Sequence, residues 1–400
     1  MINKNKVTGG LVAFIVAPFA SAIYAVTKAG ENWTFLVLAL FTALFGYCAI
    51  PDPTMDFYRY LHLLDSFSPT DTSELGADKY VYIIASIVST VTRDGHILMA
   101  VFGAIYGLLF AFSIQFFTDK EKKLPKFVYL FFVMLFANAL SLKGLGGVRF
   151  ATATFVFFIG VYNYIVTKNY KFLILVAIAP LVHFSFLIYD AIFLVFYLSK
   201  RFPHAIIWMF LISFILNVAN VGSFLSQYSI FFGDEIAEKG SYYINSDLDE
   251  MRKTYQGAFW TRIGVYFRYC EYIALILIYI HARKFHSRVH YDSDTGLMFL
   301  FCLVFAIFGN VLEPIPHLGL RTQGLFSSFV ILPIFRYCRD NWKYKGLTMS
   351  LLTYIIMAGG FFKIIIGIRT LVDITPVSLV FCPLPLAQIT DTTMNTLFGL

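Results

Sequence analysis

The stretch LTMSLLTYIIMAGGFFKIIIGI, residues 347–368, contains a single charged side chain, that of Lys363. A helix of about 22 residues rises about 33 Å, which is enough to cross the ~30 Å hydrocarbon core of a bilayer. A second run, residues 7–27, is nearly as long and carries no charge. Both runs predict membrane-spanning helices. Residues 7–27 are expected to stay in the protein as a span, because no small-residue cleavage pattern follows them.

The composition extends this prediction to the whole chain. Of the 400 residues, 58% are hydrophobic and only 14% are charged, whereas soluble domains carry about 25% charged residues. We predict an all-α polytopic membrane protein with about 10–12 transmembrane helices, built as one integral membrane domain over residues 1–400. Residues 51–79 and 222–262 are predicted as larger polar loops. The apolar segments lie at about 7–27, 33–50, 80–92, 96–117, 127–142, 150–167, 172–198, 204–221, 263–280, 297–312, 322–335 and 347–371.

Charge and cysteine content exclude several classes of function. The net charge of +7 fits basic cytoplasmic loops better than a nucleic-acid partner, and none is predicted. The five cysteines are far apart and form no Cys-x-x-Cys or Cys/His cluster, which argues against a disulfide framework and a zinc site. Two Asp-x-Asp patterns, at residues 247–249 and 292–294, are interpreted as solvated loops. We therefore predict neither a metal nor a cofactor.

The distribution of Lys and Arg predicts the orientation of the later spans. Three short loops are rich in basic residues, at 119–126, 281–290 and 336–345, and such loops lie in the cytoplasm. The tail from residue 372 to 400 has no Lys or Arg, so we expect it outside. One crossing per segment then places the loops at 313–321 and 222–262 outside as well.

The apolar run at residues 172–198 does not fit a simple count of crossings. Basic residues flank both of its ends, yet its 27 residues are too few for two full spans. We predict a re-entrant or broken helix with the break at Pro180, which places His183 and Ser185 near its tip. Irregular backbone at membrane depth is tolerated only where it is buried in protein or lines a cavity.

The short segment at residues 80–92 leaves two topologies open. If it does not cross the membrane, the loop at 51–79 lies outside together with residues 93–95, and so does the N-terminus. If it crosses, that loop is cytoplasmic, as Lys4 and Lys6 weakly favour. The first topology is preferred because of the family resemblance described below.

Charged residues near the outer ends of the spans are the main functional candidates, because an ionisable group in a membrane is costly. These basic residues are Arg149, Arg262, Arg268, Arg321, Lys363 and Arg369. Together they predict an outer pocket for a polyanion, since guanidinium groups bind phosphate oxygens in a bidentate manner. A Gly-rich turn before Arg149 adds backbone N–H groups at a helix N-terminus. The alternatives are snorkelling for Arg262 and Arg369 and a structural pair with Glu271 for Arg268.

His183 and the loop after the second segment are the other candidates. The near-neutral pKa of a histidine suits a general base that accepts a sugar hydroxyl proton; the alternative is a satisfied core histidine. Carboxylate and aromatic side chains are concentrated in residues 51–60, and both groups bind sugars. The alternative there is a solvated loop with an interfacial aromatic belt.

Four stretches together resemble the EpsG-like branch of the Wzy polysaccharide polymerases, bacterial inner-membrane proteins of capsule and O-antigen assembly. Their order and spacing extend over roughly residues 1–370. The stretches are the loop with Asp52, Asp56, Tyr58 and Tyr60; Gly146 to Ala151; Lys168 to Lys171 with the following run that ends in His183, Phe184 and Ser185; and Leu320 to Phe326. The family's acidic loop is periplasmic, which is why the first topology is preferred.

The resemblance implies a C-type glycosyltransferase that joins repeat units carried on undecaprenyl pyrophosphate, as both donor and acceptor, without a metal. Arginines would neutralise the leaving pyrophosphate, and His183 or a carboxylate among Asp52, Asp56 and Glu313 would accept the proton. The predicted catalytic residues are His183, Arg149 and Arg321. The predicted substrate-binding residues are Asp52, Asp56, Tyr58, Arg59, Tyr60, Ser185, Arg268, Glu313 and His317.

Two other functions remain open from the sequence. A flippase or other transporter of lipid-linked oligosaccharides would also use buried arginines and a broken helix. A membrane acyltransferase acting on polysaccharide could use His183 as its base. For the polymerase, the expected surroundings are the bacterial inner membrane, and the expected partners are the lipid-linked substrate and a chain-length regulator protein.

Overall fold

A computed structural model describes residues 4–51, 53, 55–67, 79–118, 123–140, 142–214, 259–284, 293–313, 316–343, 346–387 and 392–398. Over these ranges the chain is helical and contains no β-strand, only an isolated bridge between Pro376 and Thr393. The predicted all-α polytopic membrane fold is confirmed. Five described segments are long and apolar enough to cross a membrane, and seven shorter apolar helices accompany them. The count of about 10–12 spans stays a prediction.

The described residues form two compact units, residues 1–190 with 364–400 and residues 191–363. The prediction of one membrane domain stays untested by this division. Helices of the first unit are α1 (Lys4–Val16), α2 (Pro18–Thr27), α3 (Asn32–Cys48), α4 (Asp56–Leu61), α5 (Leu63–Ser66), α6 (Lys79–Ser89), α7 (Gly95–Ile114), α8 (Lys126–Ala139), α9 (Val148–Thr167), α10 (Leu173–Val182), α17 (Val377–Phe381) and α18 (Met394–Phe398). Helices of the second unit are α12 (Pro203–Ser213), α13 (Phe259–Lys284), α14 (Asp294–Val311) and α15 (Pro316–Asn341). The chain passes between the units within α11 (Phe186–Ser199) and α16 (Leu347–Val372).

Helices α3 and α7 form the tightest pair of the first unit because glycines let their backbones approach closely. A Cβ atom at Gly103 or Gly107 would overlap Thr42, and one at Gly46 would overlap the Met99 carbonyl. Small residues spaced four apart are a common means of close helix packing in membranes. Since Thr42 meets Gly103 while Gly46 meets Met99, the two helices are antiparallel. The end of α3 therefore lies beside the start of α7.

The described part of the early loop packs at this same end. The Arg93 guanidinium donates a hydrogen bond of 2.6 Å to the Phe67 carbonyl, and a Cβ at Gly95 would overlap the Leu61 carbonyl. Helix α6, between these two points in the chain, has 11 residues and is about 16 Å long, roughly half of the hydrocarbon core. This placement agrees with the preferred topology, in which residues 80–92 do not cross.

The predicted helix at residues 7–27 is interrupted at Ala17, so two helices form there. Ala17 between them has a non-helical backbone, with φ −148° and ψ 80°, and α2 begins at Pro18. A proline ring disfavours the helical conformation in the residue before it and is well suited to the first position of a new helix. The resulting helices have 13 and 10 residues, so neither alone has the length of a span.

The predicted break in residues 172–198 is present, three residues after the position that was expected. Pro180 lies in the last turn of α10, which closes with a 3.0 Å hydrogen bond from the His183 N–H to the Ala179 carbonyl. His183 itself is extended, with φ −148° and ψ 117°. The chain turns through Phe184 and Ser185 before α11 begins.

Helix α14 is the core of the second unit. Nine consecutive residues, Met298 to Ala306, are buried, and a helix that is apolar on all sides is surrounded by other helices. Its Phe301 and Phe305 rings pack against Phe329 of α15 at centroid distances of 5.5 and 5.7 Å. The centre of this unit is therefore apolar and rich in aromatic contacts.

Candidate functional site

The first polar cluster joins the early loop to the start of α9. Asp56, the first residue of α4, has its Oδ1 atom 3.3 Å from Arg59 Nη1 and its Oδ2 atom 3.6 Å from Arg149 Nη2. The carboxylate therefore lies between two guanidinium groups. All three side chains are partly exposed, Arg149 least at 30%. The Asp56 carboxylate thus brings two predicted substrate-binding residues, itself and Arg59, together with the predicted catalytic residue Arg149.

The Gly-rich turn places Arg149 at this position. Residues Leu142–Gly147 form a 3₁₀ turn, and Arg149 is the second residue of α9. The buried Tyr106 hydroxyl of α7 anchors the approach to the turn by donating a 2.8 Å hydrogen bond to the Leu140 carbonyl. Gly146 and Met55 line a small hollow between the turn and the early loop. A Cβ atom at Gly146 would meet only the Met55 sulfur, at 3.9 Å.

His183 lies beside the same end of α9. Its ring is 5.6 Å from the ring of Phe150, the residue after Arg149. The Ser185 backbone N–H donates to His183 Nδ1 over a long 3.4 Å, and in that tautomer Nε2 carries the proton. Ser185 Oγ is buried and has no hydrogen-bond partner among the described residues. Three stretches predicted separately thus come together in the first unit.

The aromatic residues of the early loop are placed differently from one another. Tyr58 is 38% exposed, and its ring lies 4.7 Å from the His62 ring. Tyr60 is only 7% exposed and packs 6.1 Å from the ring of Phe102, so its ring belongs to the core. Asp52 lies outside the described residues.

The second polar cluster is centred on Arg268 of α13. Its Nη2 atom is 2.9 Å from Glu313 Oε1, in the turn after α14. Arg268 is 4% exposed whereas Glu313 is 51% exposed. The remaining Arg268 donors, Nε and Nη1, are buried without a hydrogen-bond partner among the described residues. Two predicted substrate-binding residues therefore contact each other.

Glu271, the alternative partner of Arg268, has partners of its own. Ser327 of α15 donates a 2.6 Å hydrogen bond to Glu271 Oε2, and Lys363 Nζ of α16 is 3.9 Å from Oε1. Lys363 Nζ also lies 4.4 Å above the Phe267 ring, a favourable cation–π geometry. One fully buried carboxylate thereby connects α13, α15 and α16.

Several polar residues of this cluster were not predicted from the sequence. The Tyr272 hydroxyl donates 2.7 Å to Asn310 Oδ1, and the Asn310 amide donates 2.9 Å to Ser213 Oγ. These residues are uncharged, so a charge within an apolar segment is no signal for them. Asp190 of α11 does carry that signal, and its Oδ1 atom is buried without a hydrogen-bond partner among the described residues.

The remaining predicted residues are less closely defined. Arg321 is half-buried in the second turn of α15. The side chains of His317 and Arg262 lie outside the described residues, as does the first Asp-x-Asp pattern. In the second pattern, Asp294 begins α14 and Ser293 caps it by accepting the Gly296 N–H. No group of three metal-ligand residues occurs in the described part of the chain.

A profile described as the EpsG family matches residues 31–399. The chain belongs to the EpsG family. EpsG proteins are Wzy-type polysaccharide polymerases, so the chain is a membrane protein with glycosyltransferase-like polymerase activity. No curated protein and no solved structure matches it. The EpsG match includes both polar clusters, and the resemblance seen in the sequence is confirmed.

Proposed function

We propose that this EpsG-family protein joins oligosaccharide repeat units carried on undecaprenyl pyrophosphate, at the periplasmic face of the bacterial inner membrane. The observation that carries the proposal is the convergence of Asp56, Arg149 and His183 at one end of the first unit. An anion-binding pair beside an imidazole is what a transfer with a diphosphate leaving group requires.

The arginines would stabilise the leaving group. When the anomeric carbon–oxygen bond breaks, negative charge develops on the departing diphosphate, and guanidinium groups neutralise it without a metal. Arg149 and Arg59 already hold the Asp56 carboxylate between them, and a phosphate oxygen suits the same donors. Arg321, which is half-buried in α15, is proposed separately as a phosphate contact.

His183 would accept the proton of the attacking hydroxyl. The acceptor oxygen forms a bond to the anomeric carbon, the bond from that carbon to the diphosphate breaks, and the proton moves to the imidazole. For Nδ1 to serve as the base, its 3.4 Å contact with the Ser185 N–H must open as substrate binds. Ser185 Oγ, Tyr58 and Asp52 are proposed to contact sugar hydroxyls or ring faces.

The isoprenoid chains would reach the site through the bilayer. Helix α16 exposes large apolar side chains at several positions, namely Tyr354, Phe361, Phe362 and Ile368, and such a face is suited to lipid rather than water. A chain-length regulator protein is proposed as a partner because polymer length needs a control that the transfer step alone does not provide.

Purified full-length protein in liposomes should extend a synthetic undecaprenyl-diphosphate-linked repeat unit. We expect a ladder of products and release of undecaprenyl diphosphate in the presence of EDTA, since the arginines carry the electrostatic role. Gel analysis and mass spectrometry of the lipid measure both. Translocation of an unextended unit across the membrane would contradict the proposal and indicate a flippase.

A further inference from the structure

Helix α1 lies beside α3 and runs in the same direction. At its start, Lys6 Nζ is 2.9 Å from Oε2 of Glu31, the residue before α3. About one turn later, a Cβ atom at Gly10 would overlap the ring of Trp33, in the first turn of α3. Since later residues of α1 meet later residues of this segment, the two helices are parallel and begin at the same end.

Helix α2 runs back along α3 in the opposite direction. Its Phe19 ring is 6.1 Å from the ring of Phe41, in the second half of α3. Its Tyr24 ring stacks on Trp33, at the start of α3, with a centroid distance of 5.7 Å. Trp33 thus contacts both α1 and α2, whereas a kinked but continuous span would carry α2 away from the start of α1. The two helices therefore form a hairpin with its tip at Ala17.

The tip of this hairpin reaches only part of the way along α3. Between Asn32 and Phe41, α3 rises about 14 Å, roughly half of the ~30 Å hydrocarbon core. At the tip, the Ala17 N–H donates 2.8 Å to the Ala13 carbonyl, and the Ala17 carbonyl accepts from the Ser21 N–H at 2.9 Å. Because backbone polar groups inside a bilayer must be paired within the protein, this tip is suited to membrane depth.

The C-terminal segment connects the hairpin with the far end of α3. The Ile374 carbonyl accepts a 3.2 Å hydrogen bond from the Ile50 N–H, two residues after α3 ends. The chain then forms α17, which packs against α2, and a 3₁₀ turn, Leu384–Leu386, which packs against α1. A separate part of the chain, and not a continuation of α2, thus extends from the hairpin towards that end.

The base of the hairpin adjoins a strongly basic loop. A Cβ atom at Gly30, after α2, would overlap the Thr118 side chain, and four lysines follow within residues 119–126. Basic residues of short loops collect in the cytoplasm. A single span at residues 7–27 would separate the lysines before it from the one after it, whereas a hairpin places all of them on one side. These hairpin lysines are Lys4, Lys6 and Lys28.

We propose that α1 and α2 form a re-entrant hairpin that enters the bilayer from the cytoplasm and returns to it. The start of α1 and residues 28–31 then both lie in the cytoplasm. The topology preferred from the sequence has the N-terminus outside; the hairpin reverses that side and leaves the early loop, at the opposite end of α3, outside. This placement rests on packing and on the distribution of lysines, and it is independent of the proposed reaction.

The test labels single added cysteines in the full-length protein with a membrane-impermeant maleimide, in intact spheroplasts and after lysis. The signal of the wild type accounts for its native cysteines. Asn3→Cys, which precedes α1, and Lys28→Cys, at an exposed position after α2, should both be labelled only after lysis. Asp65→Cys is the matched control on the outer side, because Asp65 of α5 is 65% exposed, and it should be labelled in intact spheroplasts.

Two results would overturn the proposal. Labelling of Asn3→Cys and Lys28→Cys from opposite sides of the membrane would show that residues 7–27 cross it once. Labelling of both in intact spheroplasts, with Asp65→Cys protected, would show that the hairpin enters from the other side. No sugar transfer is measured, so the outcome does not depend on whether polymerisation is observed.

A cross-link tests the hairpin without reference to the side of the membrane, and also if a labelling variant does not fold. Lys6→Cys combined with Glu31→Cys should be joined by a short bismaleimide, as measured by mass spectrometry of the digested protein. The matched pair is Lys6→Cys with Tyr47→Cys, near the other end of α3, and it should not be joined. The reverse pattern would contradict the hairpin, because a single span would place the start of α1 beside the end of α3.

Discussion

Arg149→Ala is expected to abolish long-chain polysaccharide while the protein still inserts into the membrane. Arg149 is the second residue of α9 and faces the Asp56 carboxylate at 3.6 Å. Loss of a donor that stabilises developing negative charge lowers a rate by about 10²–10³-fold. Arg149 is 30% exposed, so the membrane level of the variant is measured beside its activity to separate an effect on stability from one on the reaction.

The measurement is the length distribution of surface polysaccharide in cells that carry each variant at equal membrane levels. Arg339→Ala is the matched control, because Arg339 also contacts a neighbouring aspartate at 2.9 Å but lies at the end of α15. Arg149→Lys should retain part of the activity, since the charge remains and the fork is lost. A wild-type length distribution in Arg149→Ala would remove the argument for leaving-group stabilisation.

Gly103→Leu is expected to prevent accumulation of folded protein. A Cβ atom at this position would overlap the Thr42 carbonyl of α3, and backbone atoms cannot move aside as a flexible side chain can. Overpacking in a core costs about 1–3 kcal/mol or more, and here two helices would have to separate. Because α3 ends and α7 begins beside the early loop, Asp56 would lose its position as well.

Gly9→Leu provides the control, since a Cβ at Gly9 of α1 meets no atom within 4 Å. Size-exclusion profiles and melting temperatures of the detergent-solubilised variants should show loss of the monodisperse species for Gly103→Leu only. The same melting temperature for the two variants would show that α3 and α7 are not in close contact.

The fold class follows from the sequence because hydrophobic length is a sufficient signal in a membrane protein. Residues 347–368 were predicted as a helix and lie within α16 (Leu347–Val372). Residues 7–27 show the limit of that signal. Hydropathy predicts one helix there, because it takes no account of Pro18, at which one helix ends and another begins.

The sequence predicts those site residues whose charged or titratable side chains stand out in or beside apolar segments. The sequence predicts Arg149, Asp56 and His183 from three separate stretches, and the structure brings them to one end of the first unit. Pairings were not predictable, because they depend on which helices are neighbours. Arg268 was considered as a partner of Glu271 on the same helix, but its carboxylate partner is Glu313, 45 residues later in the chain.

The uncharged residues of the polar clusters were also not predicted from the sequence. Ser327 and Asn310 resemble many other polar residues in apolar helices, and their importance comes only from the groups that they contact. Hydrogen bonding across helices is common in membranes, so neither residue type is diagnostic on its own.

The central claim is that the protein polymerises repeat units, with His183 at the reaction centre. The most direct test is a gel of surface polysaccharide from a strain that lacks the gene, complemented with the wild type or with His183→Ala. We predict that the deletion strain loses the long-chain ladder and keeps a single-repeat band, that the wild type restores the ladder, and that His183→Ala does not. An unchanged ladder in the deletion strain would contradict the polymerase assignment.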